Sequence, residues 1–249
     1  MDIFEKINSK IPDFTKSDVK FSKFIMANIQ AVEENSISRV AELAGVSTSA
    51  VLRFCKKLGY SGYSEFRFEL MRHDSMDQSR EGETLLNEYA DLYSCAVNSI
   101  RGMGEDELIE VAKMIYEAPM VKCTGALSSG LPALKFYYEF SAMGKRVIPQ
   151  TGALSPWVDA ALCRDDLVIL FSVSGDYSGQ GMKDFCDNLI KTGCKTILVT
   201  CNPKAKMNAC AGKKILLPAL KLSNGVQIEA QSQMMMLVSL WAAYYNKML

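Results

Sequence analysis

Apolar positions recur every three or four residues through the first hundred residues, then condense into short unbroken runs after Pro119. The two patterns predict helices first and a strand–helix alternation second. At the N-terminus, Ile3, Phe4 and Ile7 precede a break at Ile11 and Pro12. Thr15 then caps a helix carrying Val19, Phe21, Phe24, Ile25, Ile29 and Val32. In the next stretch Ile37, Val40, Ala41, Leu43 and Ala44 keep helical spacing behind a cap at Ser38. Gly45 supplies a turn where positive φ costs nothing, and Val46 follows as a buried pivot. Ser47 caps a second helix whose inner face is Ala50, Val51, Phe54 and Leu58. Two short helices joined by a glycine-containing turn read as a helix-turn-helix, whose second helix is expected to enter the DNA major groove N-terminus first. A turn at Tyr60, Ser61 and Gly62 leads to a helix with Phe66, Phe68 and Leu70 that ends near Arg72. Residues 74–82 are polar and read as a linker or exposed hinge. Helical patterns return over 84–100 and 106–116.

From residue 119 onward the predicted strands are 120–124, 146–149, 167–171 ("LVILF"), 196–200 ("TILVT") and 214–217. Helices are expected over 129–143, 156–163, 178–191 and 228–245, the last rich in Met and carrying Trp241. Strands alternating with helices imply right-handed crossovers and a five-stranded parallel sheet covered on both faces. The fold class is therefore α/β overall, with an N-terminal all-α helix-turn-helix bundle and a C-terminal α/β sandwich. The expected boundaries are 1–77 for the DNA-binding domain, 78–107 for a linker and connecting helix, and 108–249 for the second domain.

Composition narrows the chemistry. The 249 residues are 49% apolar with zero formal net charge, so bulk charge makes no argument for nucleic acid. Locally, between Val51 and Arg72, five basic residues (Arg53, Lys56, Lys57, Arg67, Arg72) face two acidic ones (Glu65, Glu69), a net +3. Eight cysteines contain no Cys-x-x-Cys pair, and the lone histidine, His73, follows a helix, so neither a metal site nor a cofactor is expected. The cysteines fall mostly among apolar residues, as core fillers in a reducing compartment. The first residues do not form a signal peptide and no apolar run approaches a membrane span, so the chain is expected to be cytoplasmic.

Off the buried stripe of the second helix lie Thr48, Ser49, Leu52, Arg53, Lys56 and Lys57. Small hydroxyls come first, where base edges would be met, and basic residues later, where phosphates would be. The candidate DNA-binding residues are Ser47, Thr48, Ser49, Arg53, Lys56 and Lys57. A solvated amphipathic helix is the plain alternative for any such pair. The run "VAELAGVSTSAVLRFCKKLGYSGYSEFRFEL" resembles the N-terminal domain of the RpiR/MurR family of bacterial transcriptional regulators. The resemblance rests on Ser47, on Val51 to Tyr60, and on Gly62, Tyr63 and Phe66, in that order.

In an open parallel sheet, ligands bind beyond the C-terminal strand ends where strand order reverses. For an order 2-1-3-4-5 that place lies between the loops after the first and third strands. Both are serine-rich: Gly125 to Gly130 contains Ser128 and Ser129, and 172–179 contains Ser172, Ser174, Tyr177 and Ser178. Each leads into a helix N-terminus, whose unpaired N–H groups favour phosphate. Taken singly, the serines also fit as caps and turn residues. The pair of loops resembles the sugar isomerase (SIS) domain, the phosphosugar-binding half of RpiR-type regulators. That resemblance implies phosphosugar contacts at Ser128, Ser129, Ser172, Ser174, Tyr177 and Ser178. Two positions depart from the family pattern: Leu127 replaces a glycine, and Tyr177 stands where a small hydroxyl residue is usual. The segment "AKMNACAG" after the fourth strand also keeps little of it.

Two functions fit these features. The first is a regulator acting as a homodimer or dimer of dimers, binding a palindromic DNA operator and sensing a phosphorylated sugar, with the Met-rich C-terminal stripe as core and dimer interface. The alternative is a sugar-phosphate isomerase of the same fold. That chemistry needs a poised base. Only Glu139 and Glu229 could reach the site, and the second half holds no histidine. Catalytic residues are therefore not expected.

Overall fold

The computed structural model describes residues 3–77, 84–151, 162–177, 179–222, 226, 228 and 230–249. The chain divides into two compact units, Met1–Gly104 with Leu220–Ile228, and Glu105–Ala219 with Glu229–Leu249.

The first unit is helical: α1 (Ile3–Lys10), α2 (Lys16–Ala27), α3 (Ile29–Glu34), α4 (Ile37–Ala44), α5 (Thr48–Lys57), α6 (Tyr63–Asp77) and α7 (Leu85–Arg101). A capping box at Thr15 starts α2: Asp18 N–H donates to the Thr15 hydroxyl, and Asp18 returns a bond to the Thr15 N–H. The α4 cap is Ser36, two residues before the expected Ser38; its hydroxyl accepts from Arg39 N–H. Gly45 closes α4 in the left-handed region at φ 61°. A side chain there would also meet the Lys20 ammonium, which donates to the Gly45 carbonyl at 2.8 Å. Phe54 of α5 is fully buried and meets the rings of Phe14, Phe21 and Phe66. Around it α2, α4 and α6 pack on α5, so the expected core of this bundle forms. Leu43 departs from it, lying 44% exposed on α4. The stretch expected to open a linker at 74 is instead helical through Asp77, the last turns of α6.

The second unit is an α/β sandwich. Its elements are α8 (Glu105–Glu117), β1 (Val121–Gly125), α9 (Gly130–Ala142), β2 (Val147–Thr151), β3 (Leu167–Phe171), α10 (Gln180–Thr192), β4 (Lys195–Thr200), β5 (Lys213–Leu216) and α11 (Gln231–Asn246). All strands pair in parallel in the order β2-β1-β3-β4-β5. β1 and β3 are buried at every position, as expected in a sheet covered on both faces; β3 is an unbroken apolar run, while β1 also buries Lys122 and Thr124. One side is covered by α10, whose Met182, Phe185, Cys186 and Leu189 pack with Val168, Leu170 and Leu198. α9 and α8 both pack against α11, whose Trp241 is fully buried. Lys122 of β1 reaches Asp166, just before β3, at 2.8 Å, and both are buried. The pair ties β1 to β3 at the end of the sheet opposite the serine loops. The helix expected over 156–163 lies mostly outside the described residues.

Candidate DNA-reading helix and anion site

Helix α5 begins at Thr48 because Ser47 holds extended backbone and its hydroxyl accepts from Ala50 N–H. The Ser47 and Ser49 hydroxyls lie 3.0 Å apart. Thr48, Ser49, Leu52, Arg53 and Lys56 are exposed together on the face opposite the buried Ala50, Val51, Phe54 and Cys55. Lys57 is placed differently. Its ammonium donates to the Asp18 carboxylate at 2.5 Å and to the Asp13 carbonyl at 3.0 Å. Burial works to raise the Asp18 carboxyl, but the bonds from Lys57 and Thr15 outweigh it and hold it below the usual carboxylate range. The local excess of positive charge is therefore smaller than the count of residues. Lys57 is neutralised by Asp18, and Arg67 is buried, donating to the Ser99 carbonyl at 2.5 Å. Arg53 and Lys56 are the cations left on the exposed face of α5.

The strand order places a switch point between β1 and β3, which leave the sheet side by side into the two serine loops. In the first loop, Gly125 admits a close backbone approach: a Cβ there would stand 1.9 Å from the Ser129 carbonyl. Leu127 follows in the left-handed region at φ 52°, with its side chain 77% exposed. This is the position where the resemblance leads one to expect glycine, and the backbone here has kept the glycine conformation. Ser128 accepts a 2.7 Å bond from the Gln231 amide at the start of α11, and Ser129 is buried just before α9.

In the second loop, the Ser172 hydroxyl accepts from Gly175 N–H at 3.1 Å and the Ser174 hydroxyl from Asp176 N–H at 3.2 Å. Each hydroxyl, used as an acceptor by its own loop, keeps its proton to donate elsewhere. Gly175 sits at φ 61°, and a Cβ there would clash with Ala205. Three further groups brace this loop: Thr200 donates to the Val173 carbonyl, Asn202 to the Ser174 carbonyl, and Met207 N–H to the Gly175 carbonyl. Tyr177 packs on the core under α10 and donates to the Lys206 carbonyl at 3.4 Å. Burial first, then the neighbouring Cys186 and Cys210 thiols and Asp187, raise its phenol, so it remains a neutral donor. Ser178 lies outside the described residues.

The structure thus places Ser128, Ser129, Ser172, Ser174 and Tyr177 in the two loops at the switch point. It adds Gln231, Thr200 and Asn202, which sequence reasoning missed. Asn202 had a signal in its Asn-Pro turn dipeptide; nothing in the periodicity of α11 singles out a buried Gln231. Glu139 accepts from Lys135 and Ser239 through Oε1, while its buried Oε2 has no hydrogen-bond partner among the described residues; Glu229 lies outside them. Among the described residues no cluster of three or more His, Cys, Asp or Glu could hold a metal, and no helix is long and apolar enough to cross a membrane.

The positive φ of Leu127 gives a direct test of the loop. Left-handed backbone costs a non-glycine residue about 1–2 kcal/mol, whereas glycine adds about 0.4–1 kcal/mol of unfolded-state entropy. Leu127→Gly is therefore expected to leave stability unchanged or raise it by up to about 1.6 kcal/mol in denaturant unfolding. A loss of stability would mean that the Leu127 side chain contributes packing that its exposure does not suggest.

Comparison with known proteins bears on both units. Residues 1–77 match the family described as "Helix-turn-helix domain, rpiR family". Over 211 residues the chain is 23% identical to an uncharacterized HTH-type transcriptional regulator of Providencia stuartii, covering 78% of this chain and 73% of that one. The structure resembles the Vibrio vulnificus NanR protein complexed with ManNAc-6P, with a TM-score of 0.54, 18% identity, and coverage of 99% and 92%. It also resembles the sugar isomerase domain of an RpiR transcription factor from Sphaerobacter thermophilus, with a TM-score of 0.52, 18% identity, and coverage of 69% and 92%. The second unit thus has the sugar isomerase fold.

Proposed function

We propose that this chain, whose residues 1–77 are an rpiR-family helix-turn-helix domain, is a DNA-binding transcriptional regulator whose second unit senses a phosphorylated sugar. The observation that carries the reading is the pairing of a capped, exposed α5 with two serine loops at the β1/β3 switch point of one chain. In this reading residues 1–77 read DNA, 78–107 connect, and 108–249 form the sensor. Thr48 and Ser49 meet base edges, and Arg53 and Lys56 meet phosphates. Ser47 starts the helix, and Lys57 orients it through Asp18, reaching a phosphate only by leaving that carboxylate. The active form is a homodimer or dimer of dimers on a palindromic operator, since two-fold symmetric readers require two-fold symmetric sites.

On the sensor side, the protons of Ser172 and Ser174 and the N–H groups at the start of α10 suit a phosphate. Ser128 and Ser129 complete the site from the other loop. ManNAc-6P, the ligand of the NanR complex, sets the class of effector to test. The unit acts by binding and not by catalysis in this reading: aldose–ketose isomerisation needs a poised proton-transfer base, and the second half of the chain holds no histidine. Differential affinity of the effector for two states of the protein is sufficient for regulation.

A panel of sugar phosphates including ManNAc-6P tests the sensor. At a concentration of about 100 Kd, a true effector stabilises by about 2.7 kcal/mol, a rise in Tm of roughly 5–10 °C for a chain of this size. Ser172→Ala and Ser174→Ala should each abolish that rise while leaving DNA binding intact. No rise with any member of the panel would remove the sensing function and leave a domain kept for assembly.

A further inference from the structure

Leu220–Ile228, between β5 and α11, falls in the first unit, although the chain on both sides of it belongs to the second. It is closed by two backbone bonds: Leu222 N–H donates to the Val226 carbonyl at 2.8 Å, and Ile228 N–H to the Leu220 carbonyl at 2.9 Å. Leu220, Leu222 and Ile228 bury against Ala96 of α7, with Leu92, Tyr93 and Cys95 packed alongside. A loop that merely joined β5 to α11 would run over the surface with polar residues. This one carries an apolar cluster of its own.

What the segment touches gives it a role. α7 is held to α6 by the buried Arg67, which donates to the Ser99 carbonyl. The guanidinium fills the space that Gly102 leaves by having no side chain; a Cβ there would stand 1.3 Å from Arg67 Nη1. α6 runs from Tyr63 to Asp77, inside the helix-turn-helix domain, and packs on α5. At the other end, Ile228 precedes Gln231 by three residues, and Gln231 holds Ser128 in the first serine loop. A ligand that takes the Ser128 proton fixes the hydroxyl rotor, and with it the bond from Gln231.

We propose that the 220–228 segment is the coupling element of the regulator, transmitting occupancy of the serine loops through α7 and Arg67 to the DNA-reading helices. This rests on the sensor reading above. Coupling of this kind appears as a ratio of DNA affinities with and without effector.

The test compares full-length wild type with Leu222→Ala and Ile228→Val, the second removing a single methylene so that a folded variant is assured. Three quantities are measured: calorimetric binding of ManNAc-6P and the other sugar phosphates of the panel, DNA affinity without sugar, and the ratio of DNA affinities with and without it. Wild type should show a ratio of about 10, within the range usual for allosteric proteins. Both variants should keep sugar binding and sugar-free DNA binding within about twofold of wild type, while the ratio falls toward 1, further for Leu222→Ala. Variants that keep the wild-type ratio would overturn the proposal. So would loss of sugar-free DNA binding, which would make the segment part of the scaffold of the reader. A wild type that binds a sugar phosphate without any change in DNA affinity also overturns it. A wild type that binds none overturns the sensor reading itself.

Discussion

Lys122→Ala is expected to lower the unfolding free energy of the second unit by about 3–5 kcal/mol, the usual cost of removing one partner from a buried ion pair. Against a total of roughly 5–15 kcal/mol for a domain, that is enough to unfold much of the unit near physiological temperature. Lys122 and Asp166 are 2% and 5% exposed, so the carboxylate left behind has little water to solvate it. Among the described residues, Asp166 would retain the Cys163 N–H, at 3.1 Å. The cost belongs to the orphaned charge and not to the attraction itself. The double variant Lys122→Met with Asp166→Leu should therefore recover most of the loss in denaturant unfolding. If the double variant were as unstable as the single one, the pair would contribute net stability. Because β1 and β3 carry the two serine loops, Lys122→Ala should also weaken any sugar-phosphate response.

The second large effect is on DNA. Each phosphate neutralised by a lysine or arginine adds about 0.9 to the slope of log affinity against log salt. Near ~0.1 M salt, removing one such contact costs about eightfold, and removing two about 60-fold. Arg53→Ala combined with Lys56→Ala should therefore weaken binding by about 60-fold and reduce the salt slope by about 1.8, as read by fluorescence anisotropy across a salt series. Lys57→Ala should reduce the slope less, since its ammonium is bound to Asp18 and to the Asp13 carbonyl. A double variant with unchanged affinity and slope would remove α5 from the DNA interface.

The pattern of apolar positions was enough for the architecture because burial is periodic. The strand runs at 167–171 and 196–200 could be placed nearly residue by residue, since strands buried on both faces read as near-continuous apolar runs. The strand order followed from the topology of parallel crossovers, and it located the serine loops at the switch point. For Arg67, Lys57 and Gln231, where the reading departed from the structure, the deciding contact was distant in sequence. Arg67 looked like surface charge, because nothing near it in the chain announces the space left by Gly102. Lys57 looked like a phosphate ligand until Asp18, 39 residues earlier, turned out to hold it. Ser36 and Ser38 are equally good caps by type, and the backbone of Ser36, extended at φ −66° and ψ 159°, takes the role. Gln231 was invisible for the same reason: its partner Ser128 is 103 residues away.

The central claim is that one chain both reads DNA and answers to a phosphorylated sugar. Its most direct test is the affinity of the full-length protein for a palindromic duplex, selected from random sequence, measured at fixed salt with and without each sugar phosphate of the panel. Salt-dependent binding is expected that at least one sugar phosphate shifts by about 5-fold or more, with the shift absent in Ser174→Ala. Duplex affinity that no sugar phosphate alters, or no duplex binding at all, would contradict it.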